Sequence, residues 1–216
     1  MILCKFTKID SAVYIPHLDM LREMGRAVRR ADLSVRFSEG FNPHMLLYFS
    51  QPLPLGLPSV CEYFCADSDE DPEVFRERLN VKLMRGMRIT GSVKCEKAEV
   101  HAITTHASYR FKSPEKPFDE AVLNSIMSRK TIEIPVKTKK GIAVSDVKPR
   151  IYSLTVDGGD AVAVLGCGRE NLRADSLCEF LRGECGIGGS VRILKEAAYV
   201  LKDGVLKTVD EIYGLT

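Results

Sequence analysis

The chain has 216 residues, of which 45% are hydrophobic and 28% charged, and its formal net charge is +2. This length allows one large or two small domains, and the nearly neutral balance excludes a global nucleic-acid-binding or membrane-binding signature. No apolar run is long enough to span a membrane, and the first residues lack the apolar core of a signal peptide. Seven cysteines without framework spacing are typical of reduced thiols, so we expect a cytoplasmic protein.

The first hundred residues predict an alternation of strands and helices. Apolar patterns predict strands over 2–7, 46–50, 60–66 and 87–93, and helices over 17–31 and from Pro72 onward. The inward face of the first helix is predicted to hold Leu18, Leu21, Met24, Gly25 and Val28. The order strand, helix, strand, strand, helix, strand is that of the ferredoxin-like split βαβ arrangement.

The second half predicts a similar alternation. Strands are expected over 107–112, 131–136, 152–156, 161–165, 190–193 and 197–201, and helices over 117–129 and 176–182. The turn D-G-G-D predicts a hairpin between two of these strands. We therefore predict an α+β protein of two ferredoxin-like units packed together, with mostly antiparallel sheets. The predicted domains are 1–100, with the G-F-N-P-H loop, and 101–216, with a basic hairpin.

The first predicted helix has a basic stripe on the face opposite its apolar residues. Its members are Arg22, Arg26, Arg29 and Arg30, and Arg36 follows the helix. Residues with spacings of three and four share one face of a helix. Arginine without lysine favours recognition of phosphate or carboxylate, although a solvated helix face explains the pattern as well.

A second basic cluster lies around the hairpin of the second half. The residues from this cluster predicted to bind nucleic acid are Lys139, Lys140, Lys148 and Arg150. Lysines on an exposed hairpin also protect a sheet edge from pairing. Two basic clusters in a nearly neutral chain nevertheless indicate segregated charge, which favours an anionic partner such as RNA.

The stretch between the first helix and the next strand is dense in turn formers. The predicted loop site consists of Ser38, Gly40, Phe41, Asn42, Pro43 and His44. We expect a positive φ at Gly40, because glycine adopts that conformation without steric cost. A plain hairpin turn with Phe41 in the core and a binding loop are both compatible with this composition.

No complete catalytic motif is present, and the candidates for acid–base groups are His17, Asp19 and His44. His17 and Asp19 do not face each other on a helix, because they are two positions apart. Cys61 and Cys65 lie on a predicted strand, where their sulfurs are about 13 Å apart, too far to share a metal. We expect no metal site and no cofactor in this chain.

Short stretches spread over the chain carry a family resemblance. They are F-T-K-I-D at 6–10, H-L-D-M at 17–20, R-A-V-R-R-A at 26–31, S-E-G-F-N-P-H at 38–44, P-L-P-L-G at 52–56, E-Y at 62–63, T-K-K-G at 138–141 and D-V-K-P-R-I at 146–151. In these stretches the chain resembles the radical-SAM-linked protein family, a bacterial domain that occurs alone or C-terminal to a radical S-adenosylmethionine domain. The resemblance implies no established catalytic residues, and it suggests a role in RNA modification.

These observations predict a non-catalytic RNA-binding or substrate-presenting module that works with a separate radical S-adenosylmethionine enzyme. The expected nucleic acid is tRNA or rRNA, and no membrane is expected. One alternative is a ferredoxin-like RNA-processing enzyme that uses His17 and His44. The other is a protein-interaction domain that docks on the radical enzyme and binds no RNA.

Overall fold

The structure, a computed structural model, describes residues 1–96, 104–138 and 141–215. Compactness divides the chain into unit 1, formed by Met1–Thr104 with Ala198–Thr216, and unit 2, formed by Thr105–Ala197. The described part contains five α-helices and mostly antiparallel strands, so the predicted α+β class is confirmed. None of the described helices is long and apolar enough to cross a membrane.

Unit 1 has the predicted order of elements. They are β1 (Ile2–Lys8), α1 (His17–Arg30), β2 (Leu47–Phe49), β3 (Ser59–Ala66), α2 (Pro72–Asn80) and β4 (Met87–Lys94). β1 lies between β4 and β3 and is antiparallel to both, and β2 pairs with β3. β3 therefore lies between β1 and β2, the two strands that α1 connects.

The helix α1 buries Met20, Met24, Ala27 and Val28. Leu18, which the sequence placed on the inward face, is 64% exposed. The helical repeat explains the difference, because each residue turns by about 100° and Leu18 lies two positions before Met20. The buried face packs with Phe6, Phe64 and Phe75 into one apolar cluster of unit 1.

The C-terminal residues belong to unit 1, whereas the sequence assigned all of 101–216 to the second domain. This segment contains β11 (Val205–Thr208) and α5 (Val209–Tyr213), and β11 pairs with residues 199–202 of the preceding strand. Asp210 accepts hydrogen bonds from Tyr63 Oη at 3.0 Å and from Lys5 Nζ. Val209 and Leu215 complete a second apolar cluster with Leu3 and other residues of the sheet. These contacts join residues that are far apart in sequence. No local sequence pattern therefore predicts that the C-terminal segment belongs to unit 1.

Unit 2 repeats this order of elements around an added hairpin. Its elements are β5 (His106–Lys112), α3 (Glu120–Ser128), β6 (Glu133–Thr138), β7 (Gly141–Asp146), β8 (Ile151–Asp157), β9 (Asp160–Gly166), α4 (Ala174–Glu184) and β10 (Arg192–Lys202), of which β10 continues into unit 1. The strand order in unit 2 is β10-β5-β9-β8, and β6 and β7 form a separate antiparallel pair. Gly158 and Gly159, with φ of 59° and 87°, make the tight turn of the predicted β8–β9 hairpin.

Candidate functional site

The basic stripe of α1 contains two kinds of arginine. Arg22 donates to Asp19 at 2.8 Å, and Arg30 donates to Glu23 at 2.6 Å. Arg26 and Arg29 are exposed, and within 1–96, 104–138 and 141–215 neither side chain has a hydrogen-bond or ion-pair partner. They are three positions apart, so they share one face of the helix. The predicted stripe therefore contains two cations that no carboxylate of the described residues neutralises.

Arg36 is held by two carboxylates at the base of the loop. Its guanidinium donates to Asp67 Oδ1 at 2.6 Å and to Asp69 Oδ2. The hydrogen bond to Asp67 and the charges of both carboxylates raise the pKa of Arg36. The backbone N–H of Arg36 also donates to the carbonyl of Asp67 at 2.8 Å. Arg36 therefore fixes the start of the loop to the end of β3.

The predicted loop site is a closed turn with an aromatic tip. The backbone N–H of Ser38 donates to the carbonyl of His44 at 2.8 Å, and the N–H of His44 donates to Ser38 Oγ at 3.0 Å. Ser38 Oγ and His44 Nδ1 are 2.7 Å apart. Gly40 has a φ of 116°, which confirms the predicted positive value. Phe41 at the tip is fully exposed, and it is not in the core.

The other loop residues, Asn42 and Pro43, are exposed as well. An exposed phenyl ring has no apolar neighbour to cover it, so it is available for stacking on a planar ligand. The backbone hydrogen bonds between the two arms of the loop hold the ring at the end of a short, defined turn. The loop thus presents Phe41 to solvent on a hydrogen-bonded turn.

The predicted basic residues of unit 2 are used differently. Lys148 Nζ donates to the carbonyl of Met127 at 2.7 Å and to that of Arg129, so it caps the C-terminal end of α3. Arg150 Nε lies 3.8 Å from Glu170 Oε2. Lys139 and Lys140 lie outside the described residues.

The three candidate acid–base residues lie in different surroundings. Asp19 is exposed and paired with Arg22, and His44 is paired with Ser38 in the loop. His17 lies at the start of α1 and lines a small cavity of unit 1. The cavity lining, taken over the described residues, contains neither Asp19 nor His44. Of the three candidates, His17 is the one that lines this cavity.

The cavity beside His17 brings together polar groups that the sequence did not identify as a site. Its lining consists of Phe6, Lys8, His17, Met20, Phe49, Ser50, Gln51, Leu53 and Glu62. The cavity volume is about 10 Å³, close to the smallest space that holds one water molecule. Lys8 and Glu62 are 2% and 4% exposed, which is rare for charged side chains. The stretches F-T-K-I-D, H-L-D-M, P-L-P-L-G and E-Y supply six of the nine lining residues.

Hydrogen bonds and burial determine the protonation of this cluster. Lys8 Nζ donates to the carbonyl of Ile15 at 2.9 Å, and Ser59 Oγ donates to Glu62 Oε1 at 2.7 Å. Burial lowers the pKa of Lys8, and the charge of Glu62 opposes this effect. Burial also lowers the pKa of His17, as does the charge of Lys8, and Glu62 again acts in the opposite direction. His17 is therefore neutral at pH 7 and able to accept a proton.

Two sequence signals could have pointed to Lys8 and Glu62. Glu62 interrupts the otherwise apolar run of β3, and Lys8 ends the apolar strand β1. A charged residue in an apolar strand is buried only when other elements of the fold cover it. The strand's own sequence does not show which elements these are. Among the described residues, no group of three or more His, Cys, Asp or Glu side chains is placed to hold a metal ion.

Unit 2 contains a larger cleft of about 480 Å³. Its lining consists of Pro135, Ile142, Arg173, Asp175, Ser176, Glu179 and Phe180. Arg173 is bonded to Asp175 in this lining, and the charges on α4 thus compensate one another in part. The predicted residues Lys148 and Arg150 are not part of the lining.

These features define an α+β protein with a basic helix face, an aromatic-tipped loop and a buried Lys–His–Glu cluster. A family model described as "Uncharacterized protein conserved in bacteria (DUF2344)" matches residues 1–176, and the chain belongs to this family. No curated protein matches the chain. A solved structure titled "Crystal Structure of an Unknown Protein from Galdieria sulphuraria" is 10% identical, with 96% of each chain covered and a TM-score of 0.24.

Proposed function

We propose that this chain is a non-catalytic RNA-binding or substrate-presenting module that works with a separate radical S-adenosylmethionine enzyme in RNA modification. The observation that supports RNA binding best is the pair Arg26 and Arg29 on α1. Both guanidinium groups are exposed, and the part of the chain that the structure describes offers neither of them a partner. Guanidinium groups in this state are free to form bidentate hydrogen bonds with phosphate oxygens.

The loop adds a second type of contact to this proposal. Single-stranded RNA is recognised by stacking of splayed bases on aromatic rings as well as by phosphate contacts. Phe41 is fully exposed at the tip of a turn whose two arms are hydrogen-bonded to each other. The chain of unit 1 runs directly from α1 into this loop. Phosphate-binding arginines and a stacking ring therefore lie on one continuous segment of the protein.

The partnership with a radical enzyme rests on the family resemblance in the sequence. A module that presents RNA to such an enzyme needs affinity for RNA and a surface for the enzyme, and it needs no cluster of its own. The exposed loop 38–44 is able to serve as the surface that binds the enzyme instead of a surface that binds RNA. Binding measurements with RNA and with the enzyme distinguish these roles.

The test is filter binding of the full chain to bulk tRNA and rRNA fragments at several salt concentrations. We expect binding at low salt, with an affinity that falls as salt rises, because each phosphate contact releases counterions. Each contact adds about 0.7 to 0.9 to the slope of log affinity against log salt. Absence of binding at low salt, or binding without a salt slope, would overturn the RNA proposal. Retention of the radical enzyme by the immobilised chain, without RNA affinity, would support the docking alternative.

A second candidate function is favoured by the buried cluster around His17. Histidine is the most frequent general acid or base, and titratable groups with shifted pKa values cluster at functional sites, as His17 and Lys8 do here. In this alternative the chain is an RNA-processing enzyme whose general base is His17, and His44 acts only in the loop. Bulk RNA incubated with the chain would then be cleaved, and His17→Ala would abolish the cleavage.

His106→Ala provides the matched control for this alternative. His106 lies in unit 2, is half-buried, and has a pKa that burial lowers, as for His17. Loss of cleavage in both variants would indicate a general effect of the substitutions. Equal cleavage by the wild type and by His17→Ala would exclude His17 as the base.

A further inference from the structure

Two cysteines of unit 1 approach each other at one end of the sheet. Cys65 lies in β3, and Cys95 follows β4 by one residue. Their sulfur atoms are 3.7 Å apart. β1 runs between β3 and β4, with Leu3 opposite Cys65, and the N–H of Cys95 donates to the carbonyl of Met1 at 3.0 Å. The two side chains therefore meet across the beginning of β1.

The two thiols differ in accessibility and in acidity. Cys65 is fully buried, whereas Cys95 is only half-buried. The pKa of Cys95 is lowered to about 7. The largest cause is the hydrogen bond that the thiol of Cys65 donates to its sulfur, and the positive charge of Lys94 acts in the same direction. Burial opposes both effects. The same interaction, together with burial, raises the pKa of Cys65. At neutral pH a substantial share of the partly accessible Cys95 is therefore thiolate, whereas Cys65 remains a buried thiol.

We propose that Cys95 and Cys65 are a reactive dithiol that peroxides oxidise reversibly to an intramolecular disulfide. Cys95 is the residue that the oxidant attacks, and Cys65 is the residue that resolves the oxidised sulfur. This inference concerns a site outside the basic helix, the loop and the cavity, and it does not depend on RNA binding.

The reaction balances with one peroxide. The Cys95 thiolate attacks one oxygen of hydrogen peroxide, the O–O bond breaks, and Cys95 becomes a sulfenic acid while hydroxide leaves and takes up a proton. The sulfur of Cys65 then attacks the sulfur of Cys95. The S–S bond forms, the S–O bond breaks, and water leaves with the proton of Cys65. Two thiols lose two electrons in total, and the peroxide is reduced to two waters.

The bond requires β3 and the residue after β4 to move closer together, because these strands lie on either side of β1. The sulfurs have to approach by about 1.7 Å from their present distance to reach a disulfide bond length. Cys95 directly follows Lys94, and its backbone N–H still donates to the carbonyl of Met1, so this end of the chain has to shift when the bond forms. A bond that joins two strands across a third departs from relaxed disulfide geometry, and such bonds are more easily reduced. We therefore expect a reversible bond.

The other cysteines differ from Cys95 in acidity, in accessibility or in their place in the fold. Burial raises the pKa of Cys4, and it raises the pKa of Cys178 to about 11, so both thiols remain protonated. Cys61 is fully buried in the same strand as Cys65. Cys167 in unit 2 is half-buried, like Cys95, and it is therefore the matched control for accessibility.

The test exposes the fully reduced chain to hydrogen peroxide at pH 7, blocks remaining thiols by alkylation, and maps cross-linked peptides by mass spectrometry. We expect a peptide pair joined through Cys65 and Cys95, with a mass lower by two hydrogen atoms, and its disappearance after dithiothreitol. Cys95→Ser should slow the loss of free thiols about tenfold, because buried protonated thiols react slowly. Cys167→Ser should leave the rate of formation of the Cys65–Cys95 peptide unchanged.

A further variant tests the division of roles. In Cys65→Ala the resolving thiol is absent, so Cys95 should accumulate as a sulfenic acid that dimedone labels. Absence of the Cys65–Cys95 peptide in the oxidised wild type would overturn the proposal, as would equal thiol loss in the wild type and Cys95→Ser. Circular dichroism of Cys95→Ser checks that the variant is folded, and the half-buried site makes this substitution the mildest in the set.

Discussion

The two basic regions of the chain are both dense in positive charge, but their charged side chains differ in their bonding partners. On α1, Arg26 and Arg29 are exposed without partners in the described part of the chain. In unit 2, Lys148 donates to backbone carbonyls, and Arg129 donates to both carboxylate oxygens of Glu184 at 3.0 and 2.6 Å. A cation that already bonds an internal acceptor has to lose that bond before it contacts phosphate. The comparison teaches that bonding partners, rather than charge density in the sequence, distinguish a binding cation from a structural one.

The largest effect is expected for the double variant Arg26→Glu/Arg29→Glu. It removes two phosphate contacts and adds repulsion, so RNA affinity should fall about tenfold or more at low salt. The salt slope should decrease by about 1.5, because two counterion-releasing contacts are lost. Filter binding at several salt concentrations measures both quantities.

The control for this variant is Arg85→Glu/Arg88→Glu, which makes the same change of charge. Arg85 and Arg88 are exposed residues of unit 1 outside α1. If the control weakens RNA binding as much as the α1 variant does, the loss of affinity is caused by the change in net charge. The distinction between the two basic regions then fails.

The next effect concerns the structural cations of unit 2. Lys148→Ala removes charged hydrogen bonds to two carbonyls at the end of α3, so it should destabilise the protein by about 2 kcal/mol. RNA affinity should remain unchanged. Urea denaturation followed by circular dichroism measures the stability, and the exposed neighbour Lys130→Ala serves as control. A loss of RNA affinity with unchanged stability would place Lys148 with the binding cations.

A smaller effect on binding is expected at the loop. Phe41→Ala removes a fully exposed ring, so it should weaken RNA binding by about 1 kcal/mol without any loss of thermal stability. Val81→Ala, which truncates another exposed apolar residue of unit 1, should change neither quantity. Fluorescence anisotropy with single-stranded RNA and thermal denaturation provide the two measurements. If the wild type and Phe41→Ala bind RNA with equal affinity, Phe41 does not stack on an RNA base.

The smallest effect is a pH dependence at the first residue of α1. The pKa of His17 is lower in the folded chain than its ordinary value of 6.5, so below that pH the unfolded state binds more protons. Stability should therefore fall as pH falls from 7.5 to 5, and it should fall less in His17→Gln. Urea denaturation at both pH values measures this difference. The same pH dependence in both proteins would contradict a desolvated imidazole at His17.

Local patterns in the sequence predicted much of the architecture. The alternation of apolar residues identified the strands, and the spacing of turn formers identified the loop and the positive φ of Gly40. These features depend on neighbours in the chain. The exposure of Leu18 was predicted incorrectly, and Phe41 was left open between the core and a binding loop, because apolar character alone does not show which residues face the core.

The remaining features depend on residues that are distant in sequence. Arg36 is paired with Asp67 and Asp69, and the cluster of Lys8, His17 and Glu62 needs one helix and two strands to meet. No spacing rule relates positions that only the folded chain brings together. The sequence therefore predicted the basic stripe as a set, but it did not show which of its arginines are free.

The return of residues 198–216 to unit 1 has a consequence for biosynthesis. A ribosome completes residues 105–197 before it adds the segment that contains Asp210, the partner of Lys5 and Tyr63. During translation unit 2 is therefore complete while unit 1, although begun first, still lacks part of its apolar cluster. A nascent chain stalled before Val209 is added would expose Leu3 and Tyr63 to the chaperones that bind apolar surfaces.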